Sequence, residues 1–272
     1  MDNCLCVNIA CGDTYIEGWN NFDYEPVSTA VKRANLLKHI PVSDGEADIV
    51  YSSHFFEHIP FGGVNEFLAE CFRVTKPGGQ IRLVMPDLEN LCRSYLKHRD
   101  AGQHVEAGFL ILEMLDQCVR SVSGGELGAF YKRLQSSSLT DDGMIEFVKY
   151  YTGHVILPPS LTSGSRLKRV LNNPVNLLKK LENIYIKAVL LMLPSAFRQQ
   201  NVSLALVGER HTWIYDFYTV QQLLQQAGFA DVRRLSASTS SVPDFPFYPL
   251  DVDSAGRPRK GAESMYIEAL KP

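Results

Sequence analysis

One interval near the start of the chain constrains the fold most. Leu5–Cys6–Val7–Asn8–Ile9 is a short apolar run, and Ala10–Cys11–Gly12–Asp13 follows it directly. Such a run reads as a buried strand, and the small residues after it leave bare backbone that a ligand can approach. The acid ending the next short strand, Asp23, comes only 11 residues after Gly12. An ordinary helix with its two turns does not fit in that interval, so the first crossover helix is short or absent. The G-x-G-x-x-G fingerprint, with an acid about 20 residues on, is incomplete here. Ala10 stands in place of its first glycine and the third is missing. Without a helix N-terminus a pyrophosphate is poorly held. This disfavours NAD and FAD and leaves room for a nucleoside cofactor without phosphates. The Asp23 carboxylate offers two acceptor oxygens for the hydroxyls of a ribose.

Further along, strand and helix alternate. Gly18–Trp19–Asn20–Asn21–Phe22–Asp23 enters a second strand, and Asp48–Ile49–Val50–Tyr51–Ser52–Ser53 forms a third. Gly63 to Arg73 places Val64, Phe67, Leu68, Cys71 and Phe72 at helical spacing, and Lys76–Pro77–Gly78–Gly79 turns the chain. Gln80 to Met85 is the next strand, closed by Pro86–Asp87. This rhythm predicts a mainly parallel sheet with helices on both faces. From Leu88 to about Val207 the pattern is helical or loop-like, with Phe109 to Val119 apolar on more than one side. Pro158 to Arg166 reads as a loop, and Pro174 starts a helix running to Leu193. About 120 residues without a strand make a helical cap or inserted subdomain. Thr219 then caps a helix ended by Gly228, Asp231 to Ala237 and Ser264 to Leu270 are strands, and Ser240 to Arg259 is a Pro-rich loop.

Charge and cysteines exclude other classes. Lys plus Arg number 27 and Asp plus Glu 30, a net charge of −3. A duplex-binding surface needs clustered cations. The dense basic stretches, Arg166–Lys168–Arg169 and Arg257–Arg259–Lys260, read as solvated surface or loop. The chain has no Cys-x-x-Cys pair and no compact Cys/His spacing, so its cysteines read as buried free thiols and no metal site is drawn. The start lacks a basic n-region, and the greasy stretch Ala188 to Leu193 is far shorter than the roughly 20 residues of a membrane span. A cytoplasmic protein without a membrane span is the expectation. The apolar run Ile184 to Leu193 offers a homodimer contact or a touch to a lipid-linked substrate, with core packing as the plainer reading.

The chain resembles a class I S-adenosylmethionine-dependent methyltransferase. Three stretches carry the likeness: Val7–Asn8–Ile9–Ala10–Cys11–Gly12–Asp13 with Gly18 to Asp23, then Val50 to Ile59 (Val-Tyr-Ser-Ser-His-Phe-Phe-Glu-His-Ile), then Glu70 to Gly79. Trp213, Asp216, Leu223–Leu224 and Ala227–Gly228–Phe229 extend it near the end. The closest branch is the type-11-like one often associated with bacterial glycan biosynthesis. The resemblance covers about residues 4–90 and 211–270.

The resemblance implies a Rossmann-like, mostly parallel seven-stranded α/β sheet with a large helical insertion before the last two strands. The cofactor-binding core would be 1–90 and 208–272, and the insertion 91–207. It implies S-adenosylmethionine as cofactor, held by Asn8, Ala10, Cys11, Gly12, Asp23, Asn35 and Ser53. Ala10–Gly12 would pass beneath the methionine part, Asp23 would hold the ribose, and Asn35 would stand near the adenine. Ser53 and His54 would line the pocket. The expected reaction is O-methylation of a small molecule or saccharide, with His54 and Asp87 as candidate catalytic residues by their place after strands. His211 and Asp216 either face the same pocket or cap and pack around Trp213. Two alternatives stay open: a catalytically silent interaction protein of this fold, and a nucleotide-cofactor oxidoreductase.

Overall fold

The computed structural model describes residues 4–136, 142–156, 184–186, 188–205 and 208–272. The loop expected at Pro158 to Arg166, the stretch Arg166–Lys168–Arg169 and the helix start at Pro174 lie outside the described residues. Seven strands form one sheet: β1 (Cys6–Ile9), β2 (Asn20–Asp23), β3 (Val31–Arg33), β4 (Ala47–Ser53), β5 (Thr75–Pro86), β6 (Ala230–Leu235) and β7 (Ser264–Leu270). Their order is β3-β2-β1-β4-β5-β7-β6. β1 to β5 pair in parallel, and β7 runs antiparallel to both β5 and β6. The mostly parallel Rossmann-like sheet with a helical insertion before its last two strands is therefore present.

Six of these strands are anticipated from the sequence, though β2 and β6 are not apolar runs. The seventh, β3, has three residues and buries only Val31, too little for any period to show. No helix separates β1 from β2 among the described residues, as their short spacing requires. Lys76 to Gly79 bulges out of β5, because Ala47 pairs with Thr75 while Ile49 already pairs with Gln80. A side chain at Gly79 would meet the Ala47 and Lys76 carbonyl oxygens at 2.8 and 2.9 Å, so only glycine closes the bulge.

Helix α1 (Val64–Val74) buries Val64, Phe67, Leu68, Cys71 and Val74 on one stripe. The insertion carries α2 (Leu88–Asp100), α3 (His104–Val119), α4 (Gly125–Ser136), α5 (Asp142–Thr152) and α6 (Ser195–Asn201). Leu91, Phe109, Leu110, Leu127, Met144 and Val148 give it a core of its own. Helix α7 (Phe217–Gln226) starts before the expected Thr219 cap. Asp216 is the N-cap, its carboxylate accepting from Thr219 N at 2.9 Å. The run from Ile184 does not pack into either core: Ile184, Tyr185, Leu191 and Met192 are exposed. No described helix is long and apolar enough to cross a membrane.

The two faces of the sheet are covered differently. One packs Val50, Ile81, Leu83 and Ile267 against α1 and α7. On the other, Tyr51, Val84 and Tyr266 meet Phe245, Leu250 and Val252 of the Pro-rich segment, whose short helix Phe247–Leu250 is a single turn. A mostly irregular segment in place of a long helix covers this second face, where the strand residues include Arg82 and Glu268, both buried. A loop can fold its polar backbone onto such groups, whereas a helix has already used its own.

Candidate functional site

The loop after β1 is built by two buried asparagines. Asn8 Nδ2 donates to Thr14 O at 3.1 Å and to Asn21 Oδ1 at 3.2 Å. Asn21 Nδ2 donates to Ile16 O at 2.8 Å and Trp19 O at 3.0 Å. These bonds replace the missing helix as the clamp that folds residues 11–19 back along the sheet. Asp23 closes the arrangement: its Oδ2 accepts from Gly12 N at 2.8 Å and its Oδ1 from Glu25 N at 2.8 Å. Each oxygen keeps a second lone pair for another donor.

A cavity of about 190 Å³ opens between the C-terminal ends of β1 and β4. Those strands are neighbours although β2 and β3 come between them in sequence, so the chain order reverses here. Ligands of open α/β sheets bind at such switch points. The lining includes Asn8, Ala10, Cys11, Gly12, Ser53 and His54, all anticipated from the sequence. Two of the facing residues are strained. Ala10 has φ 55° and His54 has φ 51°, a left-handed region that non-glycine residues avoid at a cost of about 1–2 kcal/mol each. Gly12, at φ 56°, has open space where a Cβ would stand. Ser53 Oγ is buried without a hydrogen-bond partner.

His54 links this cavity to a polar cluster behind it. Its Nε2 lies 2.9 Å from Ser264 Oγ, and its Nδ1 lies 3.3 Å from Glu57 Oε1. Burial, then the nearby Lys260, holds the imidazole below its usual range and so neutral. Glu57 is buried, which pushes its carboxyl up, but the surrounding imidazoles led by His54 outweigh this and hold it at about 2. Neither Glu57 oxygen has a well-aligned hydrogen bond. His211, buried alongside with Nε2 at 3.9 Å from Glu57 Oε1, is pushed down by burial to about 4.

Other anticipated residues stand elsewhere. Asp87 is buried outside the cavity lining and caps α2: its Oδ1 accepts from Glu89 N at 3.0 Å and Asn90 N at 3.3 Å. Its Oδ2 pairs with Arg234 of β6. Asn35 is exposed in the turn after β3, and neither it nor Asp23 lines the cavity itself. Asp216 is the cap of α7. Tyr51, Asp13, Thr14, Arg259 and Lys260 line the cavity without having been singled out for it. Arg259 and Lys260, expected on a solvated surface, are half-buried there, while Arg257 remains exposed. Nothing local to that basic stretch tells its inward members from its outward one. Of the cysteines, Cys6, Cys11 and Cys71 are buried, Cys4 and Cys118 are half-buried and Cys92 is exposed. Burial pushes the Cys11 thiol up to about 12, so it lines the cavity as an inert group.

Residues 17–83 match the family model described as a methyltransferase domain, of the type-11 group. Among solved structures, a chain from Archaeoglobus fulgidus described as a SAM-dependent methyltransferase is 13% identical, with 98% of this chain and 86% of that one covered and a TM-score of 0.39. One from Mesorhizobium loti, described as an S-adenosylmethionine-dependent methyltransferase, is 12% identical over 98% of this chain and 91% of that one, at 0.37. A third, described as a possible exported protein from Bordetella parapertussis, is 11% identical over 99% of this chain at 0.38; this chain spans 62% of its length. At these TM-scores the likeness carries no argument about this chain. No curated protein matches it.

Proposed function

We propose that this chain is a class I S-adenosylmethionine-dependent methyltransferase of the type-11-like branch and that it methylates a hydroxyl of a small molecule or saccharide. The observation that carries the reading is the cavity at the reversal of strand order, with bare backbone at Ala10–Gly12 on one side and unpartnered Ser53 Oγ on the other. Its size suits part of a nucleoside cofactor, the remainder extending over the strand ends towards Asp23. Bound there, the cofactor would supply a methyl group activated by a sulfonium.

The chain's own groups have separable tasks. Asp23 would accept from the ribose hydroxyls with the lone pairs that Gly12 N and Glu25 N leave free. Asn35 would lie on the adenine side. Ser53 Oγ would bond the cofactor's polar end, and Arg259 and Lys260 would receive its carboxylate. His54, neutral and in the lining, would take the proton of the acceptor hydroxyl at Nε2 once that hydroxyl displaces Ser264 Oγ, with Glu57 at Nδ1 favouring the imidazolium that forms. Asp87 would act at a distance, holding α2 and β6 to the end of β5 through bonds that occupy both its oxygens.

Calorimetry of the whole chain with S-adenosylmethionine and S-adenosylhomocysteine tests the reading. Binding is expected, and Asp23→Ala should weaken it by about 10–100-fold, the worth of charged hydrogen bonds. A folded sample that binds neither ligand overturns the proposal. A labelled-methyl screen over saccharides and small phenols then separates an enzyme from a silent binding module. His54→Gln should lower turnover by about 10²–10⁴-fold while leaving cofactor affinity nearly intact. Unchanged turnover would remove His54 as the base.

A further inference from the structure

Behind His54, three side chains with ligand chemistry converge: Glu57, His58 and His211 each offer an atom within 4.8 Å of the others. They come from two separate parts of the chain. Glu57 and His58 lie on the short turn of helix Phe56–His58 after β4, and His211 lies where the insertion rejoins the core. The backbone fixes this meeting. Thr212 N donates to Glu57 O at 2.8 Å, Thr212 Oγ1 to Ile59 O at 2.6 Å, and His211 N to Gln117 O of α3 at 3.0 Å.

Polar satisfaction argues for an occupant. Glu57 is 1% exposed, yet its carboxylate has only imidazole contacts, His54 Nδ1 at 3.3 Å and His211 Nε2 at 3.9 Å from Oε1, neither a well-aligned hydrogen bond, and Oε2 has no hydrogen-bond partner. A buried carboxylate left so is costly, and the great majority of such atoms have partners. The Tyr215 hydroxyl is also buried and unpartnered. His58 has the second contact expected of a ligating imidazole. Its Nδ1 lies 2.8 Å from Arg210 O, and since a carbonyl only accepts, that nitrogen carries a proton, which leaves Nε2 as the nitrogen that would ligate. His58 is half-buried, which gives an ion a way in.

We propose that Glu57, His58 and His211 form a divalent transition-metal site, zinc by its two-histidine, one-carboxylate donor set, with a fourth position open to water. Two neutral imidazoles and one carboxylate are the donors of a known class of zinc centre. Ligand atoms around tetrahedral zinc stand about 3.4 Å apart, given bonds of about 2.0–2.1 Å, so small side-chain rotations from the present separations close the site. The ion would tie the end of β4 to the returning chain and neutralise Glu57. It would also draw the Glu57 charge away from His54. The proposal does not depend on the methyltransferase reading, since it needs no cofactor and no substrate.

The test uses untagged, chelator-treated whole protein and Zn²⁺ or Co²⁺ alone. Cys4 Sγ and Cys6 Sγ, 3.5 Å apart, are a competing thiol site, so the parent carries Cys4→Ser and Cys6→Ser. One equivalent of Zn²⁺ should bind this parent and raise its melting temperature. Co²⁺ should give visible bands without the near-ultraviolet transitions of thiolate ligation. His58→Ala, at a half-buried position, should keep its circular dichroism and lose at least about 10-fold in affinity. Glu57→Gln provides a second, shape-conserving variant with the same expected loss. Absence of binding to the parent overturns the site, as does equal affinity in folded His58→Ala and Glu57→Gln.

Discussion

Arg82 on β5 and Ser53 on the adjacent strand β4 lie in the same sheet, in surroundings of opposite kinds. Arg82 is fully buried, and its guanidinium is saturated: Asp251 Oδ2 accepts at 2.8 Å, Glu268 Oε1 at 2.6 Å, and Thr239 O and Ser236 O at 3.1 Å each. Tyr51 Oη donates to the other Asp251 oxygen at 2.8 Å, and the Phe245 ring lies 4.8 Å from the guanidinium carbon. Past the end of β4, by contrast, Ser53 Oγ has no hydrogen bond, the Glu57 oxygens have none that is well aligned, and Ala10 and His54 hold left-handed backbone. The first region spends its polar groups on one another and locks the Pro-rich loop to the sheet. The second keeps polar capacity in reserve, which costs stability and has value only if a ligand uses it.

The comparison can be broken at its stable pole first. Arg82→Ala should cost about 3–5 kcal/mol in urea denaturation, because Asp251 and Glu268 are left buried and uncompensated. A loss below about 1 kcal/mol would mean the network is not what holds the loop. An intermediate case lies in the insertion. Buried Glu113 accepts from Tyr131 Oη at 2.8 Å and Gln117 Nε2 at 3.3 Å but has no ion-pair contact with a cation among the described residues. Burial raises its pKa from 4.5 to about 7. The folded state thus binds more protons than the unfolded between those values, so this group's contribution to stability falls as pH rises through the window and stays low above it. Glu113→Gln should flatten that slope, with a gain on the order of 2 kcal/mol at about pH 8 and little at about pH 4. Equal slopes in the two proteins would show that Glu113 titrates normally. The smallest effect belongs to the strained pole. Ala10→Gly relieves a left-handed alanine at the price of a looser unfolded chain, for a net gain of about 0.5–1 kcal/mol in melting experiments. A destabilised variant would show that Ala10 is not strained in solution.

The parts legible in the sequence are those with local causes. Helix α1 shows its buried stripe directly, and the missing helix between β1 and β2 follows from residue spacing alone. The glycine loop was legible because strand ends mark one edge of a parallel sheet, while Ser53 and His54 were set at the pocket by the family resemblance. β3 was not, since three residues with one buried side chain carry no period. The true start of α7 was missed because Asp216 and Thr219 are both good caps, and only backbone geometry chooses between them. Arg259 and Lys260 were missed as cavity residues because inward and outward positions in an irregular loop have no periodicity.

The sequence by itself determined the rhythm of the core, the shortness of its first crossover and the acid at the end of β2, because chain length and local apolar spacing are properties of neighbours along the chain. Only the tertiary structure decided that Glu57 and His58 would meet His211, more than 150 residues away, and that Arg82 would find its counter-charges in Asp251 and Glu268. Charges and ligands act through space over a few ångströms. Their partners are therefore set by how the strands register and where the insertion returns, which no local pattern records.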